Sequence, residues 1–376
     1  MKVPLIKPDL PPFADLESDF QEALASGRIT NFGKYVNQFE EQASEYMDTH
    51  VATISSGTMG LLFALQALGL EQGQKVILPS FTFMATAQAV LYAGGVPLFA
   101  EIEEDLTLSP ADIAQLLKQH DDVGAVLPVH TYGLPCRIQE IQDVVDEASQ
   151  RRSRPVPILY DAAHAFGSAV NGQPVGVFGD AEVFSLSVTK VVVSVEGGLV
   201  SSRSPELIDR IRKMRNYGIE ANYDAHWPGL NGKMSEFHAI IGLHNLRQLD
   251  SYIADRQRKA RTYLEQIGER TGFQTLPWPQ DVTHTFKDFT ILMPSNLTDQ
   301  RDTIMAFLKD RGVETRAYFF PPVHEQTFFR RYADRPLPRT EMLARRVITL
   351  PFYTTITTDE MNYVVDSLAA AERALR

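Results

Sequence analysis

The sequence predicts an α/β protein with a large domain on a mostly parallel sheet and a smaller C-terminal α+β domain. Three observations carry this. A chain of 376 residues exceeds what one small core organises and suits a large domain joined to a smaller one. From about Val51 to Leu199, short apolar runs alternate with amphipathic stretches, the rhythm of strands joined by covering helices. After Ser204 the texture changes to longer charged helices, which puts the domain boundary near Asp250 and gives units 1–250 and 251–376.

The strands expected in the first unit are Val51–Ile54, Lys75–Leu78, Val96–Phe99, Val123–Leu127, Val156–Tyr160 and Val183–Leu186, each a short apolar run ending in a loop or turn. Between them helical periodicity covers Met59–Leu70, Phe83–Ala93, Pro110–Lys118 and Ile138–Ala148. Ser109 suits the cap of the third of these, because its hydroxyl can accept a free first-turn amide. Ser235 to about Ile267 reads as one long helix linking two lobes. Beyond it, Thr285–Met293 and Val313–Tyr318 read as strands, and Asp299–Arg311, Glu341–Val347 and Asp359–Leu375 as helices.

Composition narrows the function. A net charge of -11 argues against nucleic acid as partner, since phosphate backbones are met by basic faces. It leaves room for a small anionic ligand, which a helix start and one cation can hold whatever the overall charge. Cys136 is the only cysteine, so no disulfide forms within the chain, and a reducing cytoplasm is the expected setting. No apolar run approaches a membrane span, and the first residues lack the pattern of a signal peptide. No metal site is expected. Gly-x-Ser-x-Gly, His-Glu-x-x-His and Gly-x-Gly-x-x-Gly are all missing, which argues against the common hydrolase and dinucleotide readings.

Four segments stand where a strand runs into a loop, the rim at which open parallel sheets bind ligands. Ser55-Ser56-Gly57-Thr58-Met59-Gly60 combines small residues with a helix start, which favours an anion such as phosphate; an ordinary helix cap uses the same residues. Asp161-Ala162-Ala163-His164 puts a carboxylate at the end of an apolar run, where it needs a cationic or protonated partner; a structural hydrogen bond is the alternative. Ser185-Leu186-Ser187-Val188-Thr189-Lys190 runs into three valines, where an ammonium loses hydration and its pKa falls toward the range in which the free amine attacks a carbonyl. A lysine protecting an edge strand reads the same way. Phe83, in Pro79-Ser80-Phe81-Thr82-Phe83, can lie flat on a planar ligand or simply join the core. In this order, cradle, ring, buried carboxylate and apolar-flanked lysine are the set that a pyridoxal phosphate site needs.

With these segments the sequence resembles the DegT/DnrJ/EryC1/StrS family of sugar aminotransferases. The resemblance runs nearly end to end. It includes Gly27-Arg28-Ile29-Thr30-Asn31-Phe32-Gly33 with Phe39-Glu40, Pro128-Val129-His130-Thr131-Tyr132-Gly133, Asp161 to Gly167, Thr189-Lys190 with Glu196-Gly197-Gly198, Asn231-Gly232-Lys233-Met234-Ser235-Glu236, and Leu350-Pro351. It implies the fold-type I, aspartate aminotransferase-like architecture of pyridoxal-phosphate enzymes and a homodimer with shared active sites. By the same resemblance Lys190 holds the cofactor as an imine and then acts as the base, and Asp161 pairs with the pyridinium nitrogen. Gly57, Thr58 and Ser185 bind the cofactor phosphate, Phe83 stacks on the ring and His164 bonds the ring hydroxyl. Asn231 reaches the phosphate bound in the neighbouring subunit.

Many relatives carry Ser-Phe-His-Ala-Thr-Lys before the lysine, and here that histidine is replaced within Ser185-Leu186-Ser187-Val188-Thr189-Lys190. Dehydratases on this scaffold replace the lysine itself, so Lys190 favours transamination. Thr315-Arg316-Ala317-Tyr318-Phe319 and His324-Glu325 resemble the branch that aminates C4 of dTDP-4-keto-6-deoxyglucose, with glutamate as donor. Arg316, Tyr318 and His324 are then candidate sugar-nucleotide contacts, or else surface and interlobe packing. A C3 keto-sugar, a cyclitol ketone and a non-catalytic regulatory role are the alternatives.

Overall fold

A computed structural model describes all residues except Asn31, Ser153 and Arg376. Asn31, in the quoted Gly27 to Gly33 segment, lies outside the described residues. Seven strands form the central sheet: His50–Ile54 (β1), Lys75–Pro79 (β2), Val96–Ala100 (β3), Val123–Val126 (β4), Leu159–Asp161 (β5), Ala181–Ser185 (β6) and Gly198–Ser202 (β7). Their order is β3-β2-β4-β5-β6-β7-β1, with β4 and β5 joined by the parallel bridges Val126–Ile158 and Val129–Asp161. Only β7 runs antiparallel to its neighbours.

Both faces of this sheet are dry, because its strands are apolar at consecutive positions. Val183, Val200 and Ala52 point into one hydrophobic cluster, while their neighbours Phe184, Leu199 and Val51 point into the cluster on the opposite side. The first face is covered by Gly57–Ala67 (α3), Met84–Tyr92 (α4) and Pro205–Met214 (α7). Helix α3 is apolar on nearly every side, as a fully buried helix has to be. It lies very close to the sheet. A Cβ added at Gly60 would stand 2.6 Å from Val183 Cγ1. On the opposite face, Pro110–Gln119 (α5) and Ile138–Arg152 (α6) cover one half, and Lys34–Met47 (α2) with Glu236–Leu246 (α8) the other. Ser109 caps α5 as expected, its Oγ accepting from Asp112 N at 3.4 Å.

Four sequence expectations change. The long helix from Ser235 is two, α8 and Leu249–Arg270 (α9), parted by Arg247 and Gln248, whose backbone stays in the right-handed region. Leu246 and Leu249 are both buried on either side of the break, so the apolar spacing conceals it. Val313–Tyr318 makes only isolated bridges, Val3 to Val313 and Arg316 to Thr349. The expected helix Glu341–Val347 is Pro338–Ala344 (α11), and the chain then becomes the strand Val347–Leu350. Finally, Phe13–Ser26 (α1), α2, α7 and β7 were not anticipated from periodicity.

The C-terminal part packs α9, Arg301–Asp310 (α10) and Thr358–Leu375 (α12) around an antiparallel sheet of Gln274–Thr275 (β8), Phe289–Leu292 (β9) and Val347–Leu350 (β10). The N-terminus joins that core: Val3 is fully buried there, donates to Gly312 O at 2.9 Å and accepts from Glu314 N at 3.0 Å. Among the described residues, no helix is long and apolar enough to cross a membrane.

One buried ion pair ties α2 to β1 and α7. Glu40 Oε1 accepts from Thr53 N and Thr53 Oγ1, both at 2.9 Å, and from Arg215 Nη1, while Arg212 Nε donates to Oε2 at 3.0 Å. Burial pushes the Glu40 carboxyl up, but Arg215 and Arg212 outweigh it and hold it below the usual range. Glu40→Gln leaves the Arg215 guanidinium, 1% exposed, without its counter-charge. The expected loss is about 3–5 kcal/mol, read as an earlier urea midpoint with unchanged slope.

Candidate active site

The C-terminal ends of β1, β2, β5 and β6 open onto a cavity of about 420 Å³, closed on its other side by residues that precede β9 and by Tyr318 and Phe319. Gly57, Thr58, Phe83, Asp161, His164, Ser185, Lys190 and Tyr318 all line it. Segments far apart in sequence therefore share one rim.

At the end of β1 the chain turns into α3. Ser56 is extended and its Oγ accepts from Met59 N at 3.2 Å, which caps the helix. The amides of Gly57 and Thr58 come before that capped position, and first-turn amides have no intrahelical acceptor. A Cβ on Gly57 would lie 3.1 Å from Ser185 Cβ, so the helix start and the end of β6 converge on one spot. The side chain of Ser56 takes the amide of Met59, and Gly57 and Thr58 line the cavity, where a helix start suits an anion.

Asp161 ends β5 and is buried. Its Oδ2 accepts from Thr86 Oγ1 at 2.8 Å and its Oδ1 from Ala163 N at 3.1 Å. Among the described residues no lysine, arginine or histidine makes an ion pair with it. Burial raises its carboxyl pKa despite those two hydrogen bonds and the more distant charges of Lys190 and His130. Three residues on, His164 Nδ1 is buried with no hydrogen-bond partner among the described residues. Burial, with Lys190 and Lys287 nearby, holds this imidazole well below its usual pKa, so it is neutral.

Lys190 follows β6 in a turn closed by its own amide to Ser187 O at 2.9 Å, and its Nζ has no hydrogen-bond partner among the described residues. Burial first, and the charge of Lys287 second, bring its pKa down to about 7. Because β6 pairs with β5 and β7, the lysine does not guard a sheet edge. Val191, Val192 and Val193 are buried in the following loop rather than in a strand. Phe83 stands at the start of α4 with 55% of its surface exposed, its ring centroid 6.5 Å from that of Phe319.

Three candidates lie apart from the cavity walls. Asn231 is exposed, in a loop whose Gly232 O accepts from Ser55 N at 2.7 Å. Arg316 is exposed and turns back onto Thr315 O at 3.0 Å. His324 is buried against Ser80, with Nδ1 2.6 Å from Ser80 Oγ and Nε2 3.4 Å from Glu341 Oε1. Conversely, sequence reasoning missed Thr82, Thr86, Glu196, Lys287, Asp288 and Phe319, all in the cavity wall. Lys287-Asp288 carried a usable signal, two adjacent charges inside the apolar run from Phe286 to Met293. Thr86 carried none, since small polar residues on helices are common.

Among the described residues, an unpartnered imidazole nitrogen, a buried carboxylate lacking a cation and an amine lacking an acceptor line one cavity with the first residues of α3. A planar pyridine with an aldehyde, a hydroxyl and a phosphate would satisfy all of them, so the residues present fit pyridoxal phosphate.

The fold and this cavity define an enzyme that handles an anionic carbonyl compound. The chain belongs to the DegT/DnrJ/EryC1/StrS aminotransferase family, whose sequence pattern matches residues 14–369. It is a pyridoxal-phosphate-dependent aminotransferase with the fold-type I architecture. It is 31% identical over 353 residues to GDP-perosamine synthase of Vibrio cholerae, covering 92% of this chain and 93% of that protein. It is 28% identical over 366 residues to dTDP-4-amino-4,6-dideoxy-D-glucose transaminase of Shigella dysenteriae, covering 96% of this chain and 97% of that protein. The crystal structure of DesI with its TDP-sugar product superposes with a TM-score of 0.91 at 34% identity, over 99% of this chain and 94% of that one.

Proposed function

We propose that the protein transfers an amino group from glutamate to a nucleotide-linked keto-sugar, at C4 of dTDP-4-keto-6-deoxyglucose. The observation that carries the transfer chemistry is the Lys190 amine, half-buried, desolvated to a near-neutral pKa and unpartnered among the described residues, in the cavity that Asp161 also lines. The substrate half is supported by the Shigella dysenteriae relative's name, by the structure of DesI in the presence of its TDP-sugar product and by the Asn231 to Glu236 and Thr315 to Phe319 segments.

Pyridoxal phosphate, when bound, supplies an aldehyde that exchanges amines and a ring that accepts the electron pair released at the donor carbon. Gly57, Thr58 and Ser185 would hold its phosphate, Phe83 would lie on its ring and His164 Nδ1 would bond its hydroxyl. Asp161 would keep the ring nitrogen protonated, and that positive partner would in turn favour the ionised carboxylate. Lys190 Nζ would be the base that takes the proton from the donor's α-carbon, and the same amine would deliver a proton to the sugar carbon that receives nitrogen. Tyr318 belongs to the cavity wall and suits contact with the sugar. Arg316 and His324 serve sugar-nucleotide contact only if the nucleotide extends beyond the cavity toward them.

The reading includes a homodimer, supported by the exposed Asn231 loop and by Tyr217, Tyr223 and Leu230 standing exposed before it. It also includes a division at Asp250, at the start of α9, and a cytoplasmic setting, supported by the single buried thiol of Cys136. The test mixes the protein with pyridoxal phosphate, glutamate and a panel of nucleotide keto-sugars and cyclitol ketones. The expected product is the 4-amino sugar nucleotide, identified by mass and by the carbon bearing nitrogen. Amination of a cyclitol ketone alone would overturn the substrate class.

A further inference from the structure

We propose that Lys287, held in place by Asp288, is a positioning residue that favours the free amine of Lys190 over its ammonium and so readies it to attack a carbonyl. The inference rests on Lys190 being the amine that receives the cofactor, and adds the group that prepares it.

Lys287 and Asp288 immediately precede β9 and line the same cavity as Lys190. Lys287 Nζ donates to both carboxylate oxygens of Asp288, at 2.8 and 2.9 Å, with the two side chains 5% and 2% exposed. Its backbone is pinned as well: its N donates to Tyr132 O at 2.9 Å, and its O accepts from Arg256 Nη2 at 3.2 Å. The ammonium also lies 5.7 Å from the centre of the Tyr318 ring. A buried ion pair contributes little net stability compared with apolar residues filling the same space. The neighbours Phe286, Phe289 and Ile291 show that apolar residues are what this segment otherwise places in its core. A charge kept there at such expense calls for a role in the cavity it faces.

The charged groups acting on Lys190 are Lys287, Asp288, Asp161 and Glu196, with His164 beside them as a neutral imidazole. After burial, Lys287 is the strongest influence favouring the free amine, while the three carboxylates oppose it. Both oxygens of Asp288 are engaged by Lys287, so its carboxylate fixes the second ammonium instead of hydrogen-bonding the first. A fixed cation beside a desolvated lysine is a general way to activate an amine.

The test is made on the full chain freed of cofactor, by acetic anhydride labelling of Lys190 followed by peptide mass spectrometry between pH 5 and 10. The midpoint for the wild-type protein is expected near 7. Lys287→Met is expected to raise it by about one pH unit, so that labelling at pH 6 falls about tenfold. Lys287→Arg, which keeps the charge, should restore the wild-type midpoint. If Lys287→Met does not fold, Lys287→Gln carries the same two outcomes. A midpoint unmoved by removing the cation overturns this inference alone. Failure of borohydride to fix the coenzyme at Lys190 overturns the function proposed above and leaves this titration readable.

Discussion

Lys190→Arg is expected to lower transamination by about 10⁴-fold, the largest effect of any single substitution. The guanidinium stays protonated at every accessible pH, so it can neither attack the aldehyde nor carry a proton from the donor carbon. Turnover with glutamate and borohydride fixation of the coenzyme to the peptide containing position 190 both read the loss, and a variant that still turns over at the wild-type rate would sink the assignment. A second readout separates chemistry from folding. The folded pKa of Lys190 is lowered from 10.5 to about 7, so the folded state binds fewer protons than the unfolded one between those values. The burden of this desolvated ammonium is full below pH 7 and disappears as pH rises toward 10.5. Lys190→Met should therefore stabilise the cofactor-free protein at pH 6 to 7 and change nothing near pH 10.5, by thermal unfolding. Gain in stability with loss of activity marks a residue kept for chemistry.

Asp161→Asn is expected to lower turnover by about 10²–10⁴-fold. The amide keeps an acceptor for Thr86 Oγ1, so the geometry at the end of β5 survives, but a neutral group no longer favours a protonated ring nitrogen. The cofactor-free variant should be as stable as the wild type or more so at neutral pH. The sign follows from the raised carboxyl pKa, whose main cause is burial. The folded state then binds more protons than the unfolded state above pH 3.8, so burying the ionised group is unfavourable at pH 7 and neutral in strong acid. The gain of the asparagine variant should accordingly fade as pH is lowered. Loss of bound coenzyme on dialysis, faster than for wild type, is the companion measurement. Full activity in Asp161→Asn would show that no charged partner is needed at this position.

These two residues were visible in the sequence because each follows an apolar run at the C-terminal end of a strand, and that relation is local. The cradle from Ser55 to Gly60 and the ring of Phe83 were legible for the same reason. The groups that tune them were not. Thr86 meets Asp161 from α4, 75 residues away, and Lys287 acts on Lys190 from the far side of the cavity. His324 was a candidate ligand contact through the resemblance of the His324-Glu325 segment, with packing as the alternative, and it bonds Ser80 across 244 positions. Periodicity also mistook the tail of the Glu341–Val347 segment, since Arg346 to Leu350 is buried and reads equally well as strand or helix.

By itself the sequence determined the alternation of strands and helices and the identity of the residues that end the strands, because apolar spacing and chain direction are properties of neighbouring residues. Only the tertiary structure decided that β7 runs against the others, that the helix after Ser235 breaks at Arg247 and that Val3 joins the far core. It alone brought a second lysine into the cavity of the first. Those outcomes depend on which distant surfaces remove each other from water, and burial of that kind sets both the pairing of strands and the charge state of Lys190.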